Sequence, residues 1–142
     1  MSRQPVDVFF YGLFMDRSVL GSKSITPSSA TTGYVDGYRL RIGRRATLVP
    51  ESGRRAHGVL MTLDRSDAAA LYADETVSDY VAEPVSVVLP GGIVKPAICY
   101  NLPPDRLEGA NPAYAESLLR LARGLGFPQH YLDQIEGEAN RA

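Results

Sequence analysis

The fold is decided by the stretch Val6-Asp7-Val8-Phe9-Phe10-Tyr11-Gly12-Leu13-Phe14-Met15-Asp16. Its first half is a run of apolar, aromatic and β-branched residues, which is typical of a buried central strand. The strand meets Gly12 and opens at once into a tight loop. Backbone N–H groups at such a junction are not used by a sheet ladder, so they can hold an anion or a developing oxyanion. The stretch therefore predicts a strand that ends in a backbone binding site.

Composition limits the possible classes of protein. A length of 142 residues, with 44% hydrophobic and 22% charged residues, predicts a single domain over residues 1–142 with one core. The net charge of −1 provides no field that would gather nucleic acid or an anionic membrane. The single cysteine, Cys99, fits a reducing compartment. The sequence has neither a run of about 18 apolar residues nor a signal-peptide pattern at its start, so we expect a cytoplasmic protein.

Arginines are concentrated in one part of the chain, at Arg39, Arg41, Arg44, Arg45, Arg54 and Arg55. One interpretation is a solvated strand face, because polar residues alternate outward on a sheet with one buried side. The other interpretation is a basic rim that attracts an acidic small molecule. The sequence leaves both interpretations open.

Strand patterns occupy most of the first hundred residues. Short apolar or alternating runs predict strands at 6–11, 38–42, 46–49, 56–63, 85–89 and 93–100. The segment Pro50 to Gly53 separates the third run from the fourth, and Pro90-Gly91-Gly92 predicts a hairpin between the last two. Pro96 predicts that one edge of the last strand is unpaired or bulged.

One predicted helix has an unusual residue at its end. Asp64 is a good N-cap, and Ala68, Leu71 and Tyr72 form an apolar stripe behind it. Glu75 is the next position of that stripe. Its carboxylate either turns to solvent as the helix stops or lies against the core with a raised pKa, and both outcomes remain open.

Helix patterns fill the end of the chain. Asn111-Pro112 is an N-cap followed by proline, and Gly126 closes the helix that they begin. Pro128 begins a further short helix. Strands followed by helices predict an α+β fold, with an antiparallel or mixed sheet curled into a small barrel and helices outside it.

Four segments, in the same order, resemble the γ-glutamylcyclotransferase family and its plant-type relatives. The opening Tyr11-Gly12-x-x-Met15 is similar to the family's Tyr-Gly-Ser-Asn-Met loop. The other three are the middle strands from Gly37-Tyr38-Arg39-Leu40 to His57-Gly58-Val59-Leu60, the segment from Asp74-Glu75 to Val87, and the C-terminal helices beginning at Asn111-Pro112. The resemblance covers residues 6 to about 135 and implies the family's small barrel with flanking helices.

The resemblance also implies an activity. Family members cleave a γ-glutamyl amide by letting the substrate's own α-amine attack its γ-carbonyl, which releases 5-oxoproline and a free amine. Glu75 matches the family's glutamate and would move the protons as general acid and base. The amides of Gly12, Leu13 and Phe14 would hold a carboxylate or carbonyl oxygen. Tyr11 and Tyr114 match family tyrosines near the pocket and would orient the substrate through their hydroxyls, or each is a core-edge aromatic residue with a satisfied hydroxyl. Tyr80 is expected to bind substrate together with the loop.

The loop departs from the glutathione-related branch, because Leu13-Phe14 replaces Ser-Asn. Backbone recognition survives this change, whereas side-chain recognition does not, so the loop favours a substrate with an apolar amine portion. The same change motivates an alternative, a non-catalytic small-molecule binding or interaction protein that keeps the barrel and pocket. We expect no cofactor and no metal site, since no carboxylate or second histidine lies at ligand spacing from His57. Cys99 lies within a strand pattern, which favours a core residue over a nucleophile paired with His57 or His130. The expected partner is a small γ-glutamyl compound, with no nucleic acid and no membrane. The sequence makes no prediction of the oligomeric state.

Overall fold

Five strands form a closed barrel in a computed structural model that describes residues 4–139. They are β1 (Pro5–Phe10), β2 (Ser29–Ile42), β3 (Ala46–Asp64), β4 (Val81–Val88) and β5 (Val94–Asn101). The strand order is β1-β3-β2-β4-β5, and neighbouring strands pair antiparallel. A parallel contact between Val8 of β1 and Ile98 of β5 closes the barrel. The predicted α+β fold with a small mixed barrel is confirmed.

The strand β3 is longer than the sequence predicted. Two short runs, 46–49 and 56–63, were expected to be separate strands, but they are one strand of 19 residues paired with β2. The predicted break at Pro50 to Gly53 becomes an irregularity within the strand, where the register shifts between Asp36 and Tyr38 of β2. Prolines and positive-φ glycines are compatible with such bulges, and Gly53 has φ +81°. The prediction of two strands was therefore wrong, because the strand continues past the interruption through a bulge.

Four α-helices lie within the described part of the chain. They are α1 (Arg17–Gly21), α2 (Arg65–Leu71), α3 (Pro112–Gly124) and α4 (Gln129–Ala139). The predicted start of α3 is confirmed, because the Asn111 side chain accepts a hydrogen bond from the amide of Tyr114 at 3.0 Å. Gly126, with φ +79°, follows the end of α3 as predicted.

The core lies between the barrel and the two C-terminal helices. Val8, Leu118 and Ile135 are fully buried and represent β1, α3 and α4 in it. The buried carboxylate of Glu138 fastens α4 to β2 by accepting a hydrogen bond from the amide of Ile42 at 2.8 Å. This packing fixes α3 beside the end of β1, and Tyr114 of α3 thereby reaches the loop that follows β1.

Candidate active site

The loop after β1 is a single turn of 3-10 helix, Leu13–Met15. The turn is closed by hydrogen bonds from the amide of Met15 to the carbonyl of Gly12 and from that of Asp16 to Leu13, both at 3.0 Å. The amides of Gly12 and Phe14 donate to no protein group within residues 4–139. As the sequence predicted, the junction presents backbone donors, and Gly12 and Phe14 lie at the wall of a cavity.

Tyr114 occupies the space beside the third amide of the loop. Its hydroxyl oxygen accepts a hydrogen bond from the amide of Leu13 at 3.3 Å. A Cβ atom built on Gly12 would lie 2.5 Å from the same oxygen, so no larger residue fits at this position without displacing Tyr114. The glycine is thus required by a close approach between the loop and α3, although its backbone dihedrals are extended.

The cavity next to this loop has a volume of about 290 Å³. Most of its wall is apolar or aromatic. The lining residues are Phe10, Tyr11, Gly12, Leu13, Phe14, Val19, Arg45, Ala46, Tyr72, Val77, Tyr80 and Tyr114. The structure therefore brings together, around one space, every predicted site residue except Glu75.

Aromatic rings stiffen one side of the cavity. The ring of Phe14 meets the edges or faces of Phe10 and Tyr72 in T-shaped pairs, with centroids 6.0 Å and 5.8 Å apart. Tyr72 is also stacked on Tyr100 at 3.8 Å and lies 5.9 Å from Tyr80. Such pairs add to the stability gained from burial and restrict ring motion. The wall is suited to an apolar group of a ligand.

The hydroxyls of Tyr11 and Tyr80 donate hydrogen bonds to backbone carbonyls, whereas that of Tyr114 accepts one from the loop. The hydroxyl of Tyr11 donates to the carbonyl of Tyr100 and that of Tyr80 donates to the carbonyl of Ala46, each at 2.6 Å. Burial raises the pKa of Tyr11 and of Tyr80 well above the usual value, and it raises the pKa of Tyr114 to about 12. These hydroxyls therefore stay protonated at neutral pH. The hydroxyls of Tyr11 and Tyr80 are already hydrogen-bonded to the backbone of β5 and β3.

Arg45 is the charged side chain among the cavity residues of the described chain. Its two Nη atoms donate to both carboxylate oxygens of Asp79, at 2.6 Å and 2.8 Å, and Nη1 also donates to the carbonyl of Thr76 at 2.8 Å. The guanidinium lies over the ring of Tyr80, 5.5 Å from its centre. The hydrogen bond with Asp79 raises the pKa of Arg45 and lowers that of Asp79, so both groups stay charged at neutral pH.

Most of the other clustered arginines make structural ion pairs. Arg39 and Arg41 contact Glu138, Arg54 contacts Glu51, and Arg55 contacts Asp36. These four side chains are partly exposed and paired with carboxylates, as the interpretation of a solvated strand face predicts, whereas Arg45 lies at the cavity.

Glu75 lies outside the cavity. The helix α2 ends at Leu71, and the chain then continues in turns, in which Glu75 is exposed to solvent. Of the two outcomes considered from the sequence, the structure shows the carboxylate turned to solvent, because the helix stops before its stripe reaches Glu75. Its neighbours Tyr72, Val77 and Tyr80 do line the cavity. The glutamate is therefore carried by the segment that forms one wall, with its side chain on the outer surface.

Six lining residues were not predicted from the sequence, and two of them, Arg45 and Tyr72, carry polar groups. Tyr72 was assigned to the core stripe of a helix, and its position just after Leu71 turns it toward the cavity. Arg45 was counted as one of a cluster, and nothing in the local pattern separates it from Arg44. What distinguishes Arg45 is a partner 34 residues away, Asp79, which the sequence alone does not pair with it.

Cys99, His57 and His130 lie outside the wall of the cavity. Cys99 is fully buried in β5, as expected for a core residue. Within residues 4–139, no group of three or more His, Cys, Asp and Glu side chains could hold a metal ion. In the same part of the chain, no helix is both long enough and apolar enough to span a membrane.

Comparison with known proteins gives a family match and several similar structures. The model of the family described as "Gamma-glutamyl cyclotransferase, AIG2-like" matches residues 8–119. No curated protein sequence matches the chain. A solved structure named gamma-glutamyl cyclotransferase is 18% identical, with a TM-score of 0.76, and the match covers 94% of this chain and 87% of that one.

Two further solved structures have the same fold. YkqA from Bacillus subtilis has a TM-score of 0.80 at 22% identity, with 97% of this chain and 55% of that chain covered. An uncharacterized protein from Homo sapiens has a TM-score of 0.74 at 19% identity, with 93% and 86% covered. Likeness at this level of identity establishes the fold.

Proposed function

The chain belongs to the gamma-glutamyl cyclotransferase, AIG2-like family, and from this premise we propose that it cleaves a γ-glutamyl amide in the cavity beside Gly12. The observation that carries the proposal is the meeting, at one cavity, of the free amides after β1 with the wall segment that bears Glu75. The family acts on small γ-glutamyl substrates, and a cavity of about 290 Å³ has room for such a compound.

The proposed reaction needs no nucleophile from the protein. The substrate's α-amine attacks its own γ-carbonyl carbon, and the bond from that carbon to the amine portion breaks. The α-nitrogen loses a proton and the leaving nitrogen gains one, so that 5-oxoproline and a free amine result. The protein contributes by folding the substrate, by stabilising the oxyanion and by transferring protons.

Glu75 is proposed as the acid and base for these transfers. Within residues 4–139, no carboxylate and no imidazole lines the cavity. Proton transfer therefore requires an acid–base side chain from a segment next to the cavity. Glu75 lies two positions before Val77 and five before Tyr80, both of which are wall residues. In the reacting arrangement, the carboxylate would turn from solvent toward the cavity.

The wall favours a particular kind of substrate. Leu13 and Phe14 stand where polar residues occur in the glutathione-related branch, and Phe14 packs on Phe10 and Tyr72. We therefore propose an amine portion with apolar character, since an apolar wall would leave polar groups of the ligand unpaired.

Substitution of Glu75 by glutamine tests the proposed mechanism. The variant Glu75→Gln should fold normally and bind the substrate, but release 5-oxoproline about 100- to 10,000-fold more slowly, because the amide cannot transfer protons. The measurement is 5-oxoproline release from a panel of γ-glutamyl amides. Glu116→Gln, which changes an exposed carboxylate of α3, is the matched control and should retain full activity. Undiminished turnover by Glu75→Gln would exclude Glu75 from the chemistry.

The exposure of Glu75 favours a second candidate function, that of a non-catalytic binding protein. Under this alternative, the cavity holds a γ-glutamyl compound without cleaving it. The same panel, extended to ε-lysyl and polyamine conjugates, distinguishes the two functions. Binding by calorimetry without any 5-oxoproline would establish the second function, and 5-oxoproline release would exclude it.

A further inference from the structure

We infer that Arg45 binds the α-carboxylate of the γ-glutamyl substrate through the edge of its guanidinium formed by Nε and Nη2. This inference rests on the proposed function for the identity of the ligand. It assigns to a side chain of the connection between β2 and β3 a recognition role that the backbone amides after β1 would otherwise have to provide.

The first support is the arrangement of hydrogen bonds around Arg45. The guanidinium has five N–H groups. Both Nη atoms face Asp79 end-on, and the second hydrogen of Nη1 is directed to the carbonyl of Thr76. The N–H of Nε and the remaining N–H of Nη2 have no acceptor within residues 4–139. These two parallel donors form an edge that matches a carboxylate.

The second support is that Arg45 is already fixed. Asp79 and Thr76 hold the guanidinium at one end, and the ring of Tyr80 lies beneath it. The hydroxyl of Tyr80 is in turn bound to the carbonyl of Ala46 at 2.6 Å. A side chain held in this way loses little conformational entropy when a ligand binds.

The third support is the distribution of charge around the cavity. Arg45 is the one cationic side chain among the described residues that line it. Four other arginines of the cluster, Arg39, Arg41, Arg54 and Arg55, are engaged in ion pairs elsewhere, whereas Arg45 lines the cavity and keeps two N–H donors beyond its own pair with Asp79. A carboxylate that entered this mainly apolar space would need a charged partner, and Arg45 is the group available to it.

This assignment divides the recognition of the substrate among three parts of the cavity. Arg45 holds the α-carboxylate, which frees the amides of Gly12 and Phe14 for the oxygen of the γ-carbonyl. The aromatic wall that includes Tyr72 faces the amine portion. The substrate class is then a γ-glutamyl amide with a free α-carboxylate and an apolar amine, and γ-aminobutyryl amides, which lack that carboxylate, are excluded.

The test compares two small ligands that differ by one group. 5-Oxoproline carries the carboxylate, and 2-pyrrolidinone is the same ring without it. Affinities are measured by NMR titration of the full chain and of Arg45→Gln. The normal chain should bind 5-oxoproline the more tightly, and Arg45→Gln should lose about 10- to 100-fold in affinity for it, with little change for 2-pyrrolidinone. Arg45→Lys, which keeps the charge but lacks the two-donor edge, should also lose affinity for 5-oxoproline.

Two controls separate ligand binding from support of the wall. Arg44→Gln changes the exposed neighbouring arginine and should bind both ligands normally. Asp79→Asn weakens the contact that holds Arg45 yet leaves the free edge, so it should retain the preference for 5-oxoproline. Equal loss of both ligands in Arg45→Gln, or no preference for 5-oxoproline in the normal chain, would overturn the inference.

The outcome is separable from the proposed reaction, because neither ligand is cleaved. Arg45-dependent binding in a chain that releases no 5-oxoproline from any amide would refute the reaction and retain carboxylate recognition. Release of 5-oxoproline that is unimpaired in Arg45→Gln would support the reaction and refute the role of Arg45.

Discussion

At the scale of single residues, Gly12 lies close against the hydroxyl of Tyr114. The sequence identified the glycine as the end of a strand, and the structure adds that its missing side chain makes room for a residue of α3. The two residues are 102 positions apart, so local pattern could not pair them. The same applies to Arg45 and Asp79.

Substitution of Gly12 by alanine should therefore disturb the site without straining the backbone. The new methyl group would lie 2.5 Å from the Tyr114 oxygen and would displace it from the amide of Leu13. We expect a loss of about 1–3 kcal/mol in the free energy of unfolding and weaker ligand binding. Urea unfolding and ligand titration measure both quantities.

The matched control is Gly21→Ala, because a Cβ at Gly21 meets nothing within 4 Å. This variant should unfold at nearly the same urea concentration as the normal chain. Equal stability of Gly12→Ala and Gly21→Ala would show that the loop and α3 accommodate the methyl group.

At the scale of elements, the position of Glu75 depends on the conformation of the segment between α2 and β4, residues 72–80. This segment is held by Asp74, which accepts hydrogen bonds from the amide and hydroxyl of Thr76, and by Arg45, which binds Thr76 and Asp79. The sequence predicted the helix and the position of Glu75 beyond its stripe. It could not predict the direction of the side chain, since that depends on α2 ending at Leu71, four residues before Glu75.

The attachment of α4 to β2 gives a prediction about stability. Glu138 accepts a hydrogen bond from the amide of Ile42 and contacts Arg39 and Arg41, while its side chain is 4% exposed. Glu138→Gln removes the charge and should lower the free energy of unfolding by about 1–3 kcal/mol. Glu136→Gln, in the exposed face of α4, is the control and should change it by less than about 0.5 kcal/mol. Similar urea midpoints for the two variants would contradict a structural role for Glu138.

At the scale of the whole molecule, the sequence predicted the order of strands and helices but not how the sheet closes. Hydrophobic periodicity reports which face of an element is buried, whereas closure depends on the parallel contact of Val8 with Ile98, 90 residues apart. The continuous strand β3 was missed for a related reason. Pairing with β2 on both sides of residues 51–54 holds β3 together as one strand through an interruption that looks like a boundary in the local pattern.

Folding should depend on pH through His57, which packs against Tyr34, Phe127 and Tyr131. Burial, assisted by the charges of His130 and Arg55, lowers the pKa of His57 from 6.5 to about 4. Between these values the unfolded chain binds a proton that the folded chain does not, so the free energy of unfolding increases with pH up to about 6.5. Lowering the pH from 7 to 5 should cost about 2 kcal/mol from this residue.

The variant His57→Phe isolates this contribution, because it retains an aromatic ring in the cluster. Urea unfolding at both pH values should show a smaller difference in the variant than in the normal chain. An unchanged difference would mean that other groups account for the pH dependence.

The tyrosines of the cavity also have an optical consequence. The chain contains no tryptophan and has eight tyrosines, of which Tyr11, Tyr72, Tyr80 and Tyr114 line the cavity. In most proteins tryptophan dominates the ultraviolet emission and receives excitation energy by transfer from tyrosine. Here the intrinsic fluorescence comes from tyrosine, and four of the eight tyrosines line the cavity where the ligand would bind. The unlabelled protein thus carries its own reporter, and quenching on titration would reveal occupancy without any dye or engineered probe.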